Sequence, residues 1–124
     1  MIELANDKTN EGVYQKDISK NQDISIKYLD QIIHSLKVAG LISNVKGKKS
    51  GYILTKKPSE ILIYDIHRAF ENDICVIDCM SANFQCDRMA GCTVQSFWRG
   101  LNQVVIDYFK NTTLEDVADG KLKF

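Results

Sequence analysis

All four cysteines of this 124-residue chain fall within residues 75–92, CVIDCMSANFQCDRMAGC, and none lies elsewhere. The stretch is polar, contains Met and Gly, and has too little apolar sequence to bury four thiols in a core. The chain must therefore fold on either side of a loop whose shape depends on what its thiols hold.

The spacing of those thiols narrows the choice. Six residues separate Cys79 from Cys86, and five separate Cys86 from Cys92. Zinc sites usually contain close cysteine pairs with two to four residues between them. Here the only close pair is Cys75 and Cys79, with three between them, and no second pair balances it. Wide, near-even spacing suits a loop wrapped around a larger inorganic core such as an iron–sulfur cluster, whose thiolate ligands tolerate such spans. Gly91 beside Cys92 would let backbone amides approach bridging sulfides. Structural zinc through all four cysteines and a thiol switch that works by disulfide formation remain open at this point. Cys75 is an optional fourth ligand or a packed thiol.

Composition sets the setting for this loop. The apolar fraction of 44% and charged fraction of 26% are those of an ordinary globular chain, large enough for one domain or a small domain with a dimerisation element. No run approaches the roughly 20 apolar residues of a membrane span. No basic region followed by an apolar stretch marks a signal peptide. The expected location is a reducing cytoplasm, where clustered cysteines are metal ligands or redox groups more often than disulfides. A net charge of zero hides an asymmetry. Residues 1–58 carry ten Lys against six acids, a balance of +4, and residues 59–124 carry the opposite −4. The excess is sharpest from Lys46 to Lys57, where five lysines meet no acid, which points to a polyanion such as DNA.

Along the chain, MIELA (1–5) reads as the end of a helix, Asp7 to Gly12 as a turn, and Tyr14 to Asn21 as a short helix. Asp23 to Ser25 makes a tight connector with Ser25 as N-cap. Apolar residues then recur at Ile26, Leu29, Ile32, Ile33, Leu36 and Ala39, and Gly40 stands where a left-handed C-cap is favoured. Two short helices joined this way form a candidate helix-turn-helix. Strand-like residues 41–45 and 52–54, joined by the turn KGKKSG, add a β-hairpin with a lysine-rich tip. That order is a winged helix, in which the second helix enters the major groove and the wing grips phosphates or an adjacent minor groove. After Pro58, Ser59 or Glu60 opens a predicted helix through about Glu71, buried through Ile61, Ile63, Tyr64, Ile66, Ala69 and Phe70, with His67 expected at a surface or interface. Beyond the cysteines, Val94, Phe97, Trp98, Leu101, Val104, Val105, Tyr108 and Phe109 repeat at helical spacing over about sixteen residues, roughly 24 Å of helix. Pairing this helix with its symmetry mate would bury the stripe, with Phe97, Trp98, Leu101, Val105 and Tyr108 as the dimerisation residues. Thr112 or Thr113, with Asp116, predicts a capping box, and Asp119 to Phe124 a loose tail.

Several of these segments together resemble a known family: the winged-helix repressors that include the iron–sulfur regulator IscR and the nitric-oxide sensor NsrR. The residues that carry the resemblance are ISIKYLDQIIHSLKVAGLI (24–42), the wing KGKKSGYIL (46–54), PSEILIYDIHRAFE (58–71), the loop from Cys79 to Cys92, and TTLEDV (112–117). The resemblance implies a homodimer on palindromic double-stranded DNA. In that family three cysteines bind a 2Fe–2S or 4Fe–4S cluster, and cluster loss or reaction changes DNA affinity. By position, the implied ligands are Cys79, Cys86 and Cys92. The implied DNA contacts are Ser25, Lys27, Tyr28 and Gln31 on the recognition helix, and Lys46, Lys48 and Lys49 in the wing. Two departures concern the fourth ligand. Some members place a histidine three positions after the last cysteine, where this chain has Gln95, a poor iron ligand. Others take it from an N-terminal helix of the partner subunit, and this chain starts late relative to that pattern.

The expected architecture is mainly α with a small β-hairpin wing. A winged helix-turn-helix domain with its following helix spans residues 1–71, a cysteine-rich cluster loop 72–93, and a dimerisation helix and tail 94–124. The expected function is a DNA-binding transcriptional regulator, more repressor than activator, controlled by an iron–sulfur cluster that senses redox state, nitric oxide or cluster status. A winged-helix regulator with zinc or redox-active thiols and no iron is the alternative, and a small redox protein a more distant one. No close Cys-x-x-Cys pair, nucleotide-binding glycine motif or acid–base cluster supports an enzyme.

Overall fold

A computed structural model describes residues 1–47 and 51–122. The predicted hairpin-tip residues Lys48, Lys49 and Ser50, and the last two residues of the predicted tail, lie outside the described residues.

The first half is a winged helix. Helix α1 (Ile2–Ala5) leads through a turn to the two-residue strand β1 (Val13–Tyr14), then to α2 (Gln15–Gln22) and α3 (Ile26–Val38). The turn between α2 and α3 is made by Asp23, whose φ of 52° puts it in the left-handed region that Asp tolerates better than most residues. The Ile24 N–H donates to the Ser19 carbonyl at 3.1 Å, and the Ser19 hydroxyl donates to the Ile24 carbonyl at 2.6 Å. Ser25 caps α3 as expected, its Oγ accepting the Tyr28 N–H at 3.1 Å. Helix α3 stops at Gly40, whose φ of +72° is the left-handed stop the sequence predicts. Strands β2 (Ile42–Asn44) and β3 (Gly51–Leu54) form the wing, paired antiparallel with Ser43 opposite Ile53.

The sequence missed β1. Val13 and Tyr14 pair with Tyr52 and Gly51, giving a three-stranded sheet in the order β1-β3-β2 where a two-stranded hairpin is expected. Two residues are too few to show alternation, and Tyr14 instead precedes the helix it was expected to begin. Gly12 makes the pairing possible: its φ is +88°, and a Cβ there would stand 2.2 Å from Val45 Cγ2.

The segment after Pro58 departs further from expectation. Instead of a helix to Glu71, a 3-10 turn at Pro58–Glu60 is followed by extended Ile61 and Leu62, and then by the short α4 (Ile63–Arg68). The backbone here is committed elsewhere. The Ile63 N–H donates to the Thr112 carbonyl at 2.9 Å, the Leu114 N–H donates to the Ile61 carbonyl at 2.8 Å, and Leu62 bridges Thr113. A non-local pairing thus overrides local helical periodicity, and Phe70, expected to be buried, is exposed.

Helix α5 (Gln95–Lys110) spans the predicted stripe, and α6 (Leu114–Ala118) follows a capping box in which Thr113 Oγ1 accepts the Asp116 N–H at 3.1 Å and Asp116 Oδ2 accepts the Thr113 N–H at 2.9 Å. One core joins α1, α2, α3, the wing and α6: Leu4, Ile18, Leu29, Ile33, Leu36, Leu41, Ile42 and Tyr52 pack with Ile61 and Leu114, the two most deeply buried side chains. None of the described helices is long and apolar enough to cross a membrane.

Candidate functional site

The face of α3 opposite the core presents the residues expected to read DNA. Leu29, Ile33 and Leu36 point inward, which leaves Ser25, Lys27, Tyr28 and Gln31 exposed on the first two turns. Tyr28 is 57% exposed, too much for a side chain held by the core. The Gln15 side-chain amide donates to the Asp30 carboxylate and braces the start of α2 against α3. Lys37 is drawn away from this face, donating to Asn44 Oδ1 at 2.6 Å and lying 6.0 Å from the Tyr52 ring centre. Lys46 is exposed where β2 leaves the sheet toward the wing tip. Lys48 and Lys49, also expected to contact DNA, lie outside the described residues.

The second candidate is built by the cysteine loop. Two 3-10 turns, Asp78–Met80 and Met89–Gly91, fold the chain back over the start of α5. They bring Cys79, Cys86 and Cys92 to one cavity of about 100 Å³, whose other walls are Ile77, Met80, Met89, Val94, Gln95 and Trp98. Cys75 is not part of that lining. It follows buried Ile74, and partial desolvation, then the charges of Asp73 and Asp78, push its thiol above the usual range. The loop is pinned to α5 where the Val76 N–H donates to Asn102 Oδ1 at 2.9 Å. All four cysteines are free thiols. Among the described residues, no three His, Cys, Asp or Glu side chains already stand in an arrangement that holds a metal ion. The donors nevertheless fit a thiophilic group in kind, because three thiols share one sulfur-rich, largely apolar cavity; closing on such a group requires their side chains to reorient.

Spacing alone did not reveal the other residues that shape this site. Met80 and Met89 have no periodic signature, and Asn102 sits in a helix read for its apolar positions. Gln95, singled out above as the residue replacing a histidine ligand, does line the cavity.

Helix α5 divides its expected apolar stripe in two. Trp98, Val105 and Phe109 are half-buried toward the rest of the chain, with Trp98 in the cysteine cavity and Phe109 edge-on to His67 at 5.6 Å between ring centres. Val94, Phe97, Leu101, Val104 and Tyr108 are exposed, Phe97 by 64% and Val104 by 63%. Their three-four spacing is that of a coiled-coil seam. Of the residues expected at a dimer face, Phe97, Leu101 and Tyr108 therefore point outward, and Trp98 and Val105 lie on the half-buried side.

A recognition helix, a β-hairpin wing within a three-stranded sheet and one shared core define a winged-helix DNA-binding protein. Residues 1–120 match the Rrf2 family, described as iron-dependent transcriptional regulators, and the chain belongs to that family. It is 29% identical over 121 residues to the HTH-type transcriptional regulator IscR of Pectobacterium atrosepticum, covering 98% of this chain and 73% of the relative. Among solved structures it is similar to CymR, the global cysteine regulator of B. subtilis, with a TM-score of 0.74 and 29% identity over 95% of this chain and 86% of that one. It is likewise similar to T. potens IscR, with a TM-score of 0.72 and 27% identity over 98% of this chain and 79% of that one. The protein is accordingly a DNA-binding transcriptional regulator and not an enzyme.

Proposed function

We propose that this regulator is a homodimeric repressor of palindromic operators, and that an iron–sulfur cluster held by Cys79, Cys86 and Cys92 sets its affinity for DNA. The observation that carries this reading is the convergence of those three thiols, and not of Cys75, on one cavity. When bound, a cluster supplies a redox- and nitric-oxide-reactive centre whose loss changes the local charge and packing. The chain's own residues do the rest. Residues 1–71 form the reader, in which Gln31 and Tyr28 meet base edges while Lys27, the Ser25 hydroxyl and the wing lysines hold phosphates. Residues 72–93 form the sensing loop. Residues 94–124 supply the pairing helix, whose outward seam of Val94, Phe97, Leu101, Val104 and Tyr108 meets the same seam of a second copy. Free thiols of this kind suit the reducing cytoplasm.

The test is anaerobic purification followed by visible absorption and operator binding at one fixed salt concentration. Coloured protein is expected, with different operator affinity before and after the cluster is removed, and loss of colour in Cys79→Ser, Cys86→Ser or Cys92→Ser. Colourless protein, or equal affinities of loaded and stripped forms, would overturn the cluster reading.

A second reading is favoured by the four free thiols and the likeness to a cysteine regulator. In it, Cys79, Cys86 and Cys92 act as an oxidation-sensitive or zinc-holding set without iron. Colourless protein whose operator affinity changes on treatment with peroxide, or with zinc, would support it.

A further inference from the structure

The cysteine cavity contains more sulfur than a three-thiolate cluster site uses. The thioethers of Met80 and Met89 belong to its lining together with the three thiols, giving five sulfur-bearing side chains around about 100 Å³. No carboxylate or imidazole is among the lining side chains, and Gln95 is the sole one that carries oxygen. Each methionine sits on one of the two 3-10 turns that shape the loop: Met80 directly follows Cys79, and Met89 lies between Cys86 and Cys92. Met89 is 42% exposed, so filling a core gap does not account for it.

We propose that this cavity, when it holds no cluster, binds copper(I) through thiolates of Cys79, Cys86 and Cys92, with a thioether of Met80 or Met89 completing the ligand set. Ligand softness selects the ion. Mixed thiolate and thioether donors favour copper(I), whereas magnesium and calcium require oxygen donors that this wall lacks. Zinc uses Cys, His and carboxylate ligands in closed tetrahedral sites, and methionine is not one of its usual partners. Methionine's flexible stem and polarisable sulfur suit closure by a change of rotamer. Each thiol that binds gives up its proton to solvent, so the step is a ligand exchange with no change of oxidation state.

The inference uses the same three thiolates as the cluster reading but stands on the two methionines, which that reading does not need. The two occupants exclude each other.

The full chain, stripped of iron and kept anaerobic with its thiols reduced, is titrated with copper(I) against a coloured copper(I) chelator. Withdrawal of one equivalent of copper is expected, unaffected by equimolar zinc. The triple variant Cys79→Ser, Cys86→Ser, Cys92→Ser should withdraw none. The double variant Met80→Leu, Met89→Leu keeps side-chain volume and should keep its far-ultraviolet circular dichroism. It should bind copper(I) at least about tenfold more weakly, the order typical when groups supporting a metal site are removed. Wild-type affinity in the double variant would reduce the methionines to packing and overturn the proposal, as would failure to withdraw copper or displacement of copper by equimolar zinc. The visible bands of anaerobically purified wild type and double variant report on the cluster separately. Bands in both proteins with no copper withdrawn would sink this inference alone, and copper withdrawal from a chain that never shows bands would sink the cluster reading alone.

Discussion

In the proposed reading Gln31 and Lys46 would reach DNA by different chemistry, and the difference is measurable. Gln31 lies exposed on the second turn of α3, where a side-chain amide can pair with an adenine edge. Lys46 stands exposed at the root of the wing, where an ammonium would meet phosphate whatever the sequence. Gln31→Ala is expected to relax discrimination at one operator position by about 1–3 kcal/mol. Lys46→Ala should weaken operator and random duplex alike and lower the salt slope of binding by about 0.9. Binding titrations of matched and mismatched duplexes over a range of salt test both, and a specificity change from Lys46→Ala would show that the wing reads bases. At this scale the sequence was informative wherever one residue type has one local task. Ser25 had to be a cap, because it precedes an apolar stripe and its oxygen is placed to accept from Tyr28. Gly40 had to end α3 for a comparable reason. Met80 and Met89 carried no such signal, because an unbranched apolar side chain fits loop, core or metal site alike.

Elements were legible where their periodicity was long and their partners local. Helices α3 and α5 fall close to their predicted spans because each repeats apolar residues over several turns. Strand β1 and the break before α4 were not legible, because both depend on backbone partners distant in sequence: β1 on β3, and residues 61–63 on 112–114. The orientation of α5 was half legible. One broad stripe was read where the helix has an inner side and an outer seam, and only the position of the cysteine loop shows which is which. The cap of α6 supports a prediction about acid stability. The N–H of Thr113, and then its hydroxyl, hold the Asp116 carboxyl below the usual range. A depressed carboxylate stabilises the fold at pH above the ordinary carboxylate range, and that contribution is lost as pH falls through its lowered value. Asp116→Asn should therefore be less stable than wild type near neutrality, with the gap closing as the pH drops below that range. Urea unfolding across the acid limb measures it; a gap of constant size would mean that the hydrogen bonds of Thr113 do not depend on the charge.

At the scale of the whole molecule, an exposed apolar seam on a surface helix is an unusual feature for a lone chain. Val94, Phe97, Leu101, Val104 and Tyr108 form it, and Leu101 lies at its middle. Leu101→Glu places a charge in that seam and should turn a dimer into a monomer in sedimentation, with loss of cooperative operator binding and an unchanged far-ultraviolet spectrum. Sedimentation of wild type as a monomer at micromolar concentration would remove the pairing role from α5. Pairing through this helix bears on geometry as well as affinity, because α5 is fastened to the rest of the chain along its length and again just beyond its end. Asn102 ties it to the cysteine loop at Val76, and the chain that leaves it is clasped at Thr112 to Leu114 against Ile61 to Ile63, in the core that the recognition helix shares. In the proposed dimer, two copies joined along their seams would therefore work as a caliper. Each handle is fixed to its own jaw, and the opening between the jaws decides whether both recognition helices can enter grooves one turn of duplex apart, about 34–36 Å. The cysteine loop sits against each handle through the bond from Val76 to Asn102, so in the proposed regulator a small change in its shape would become a larger change of span.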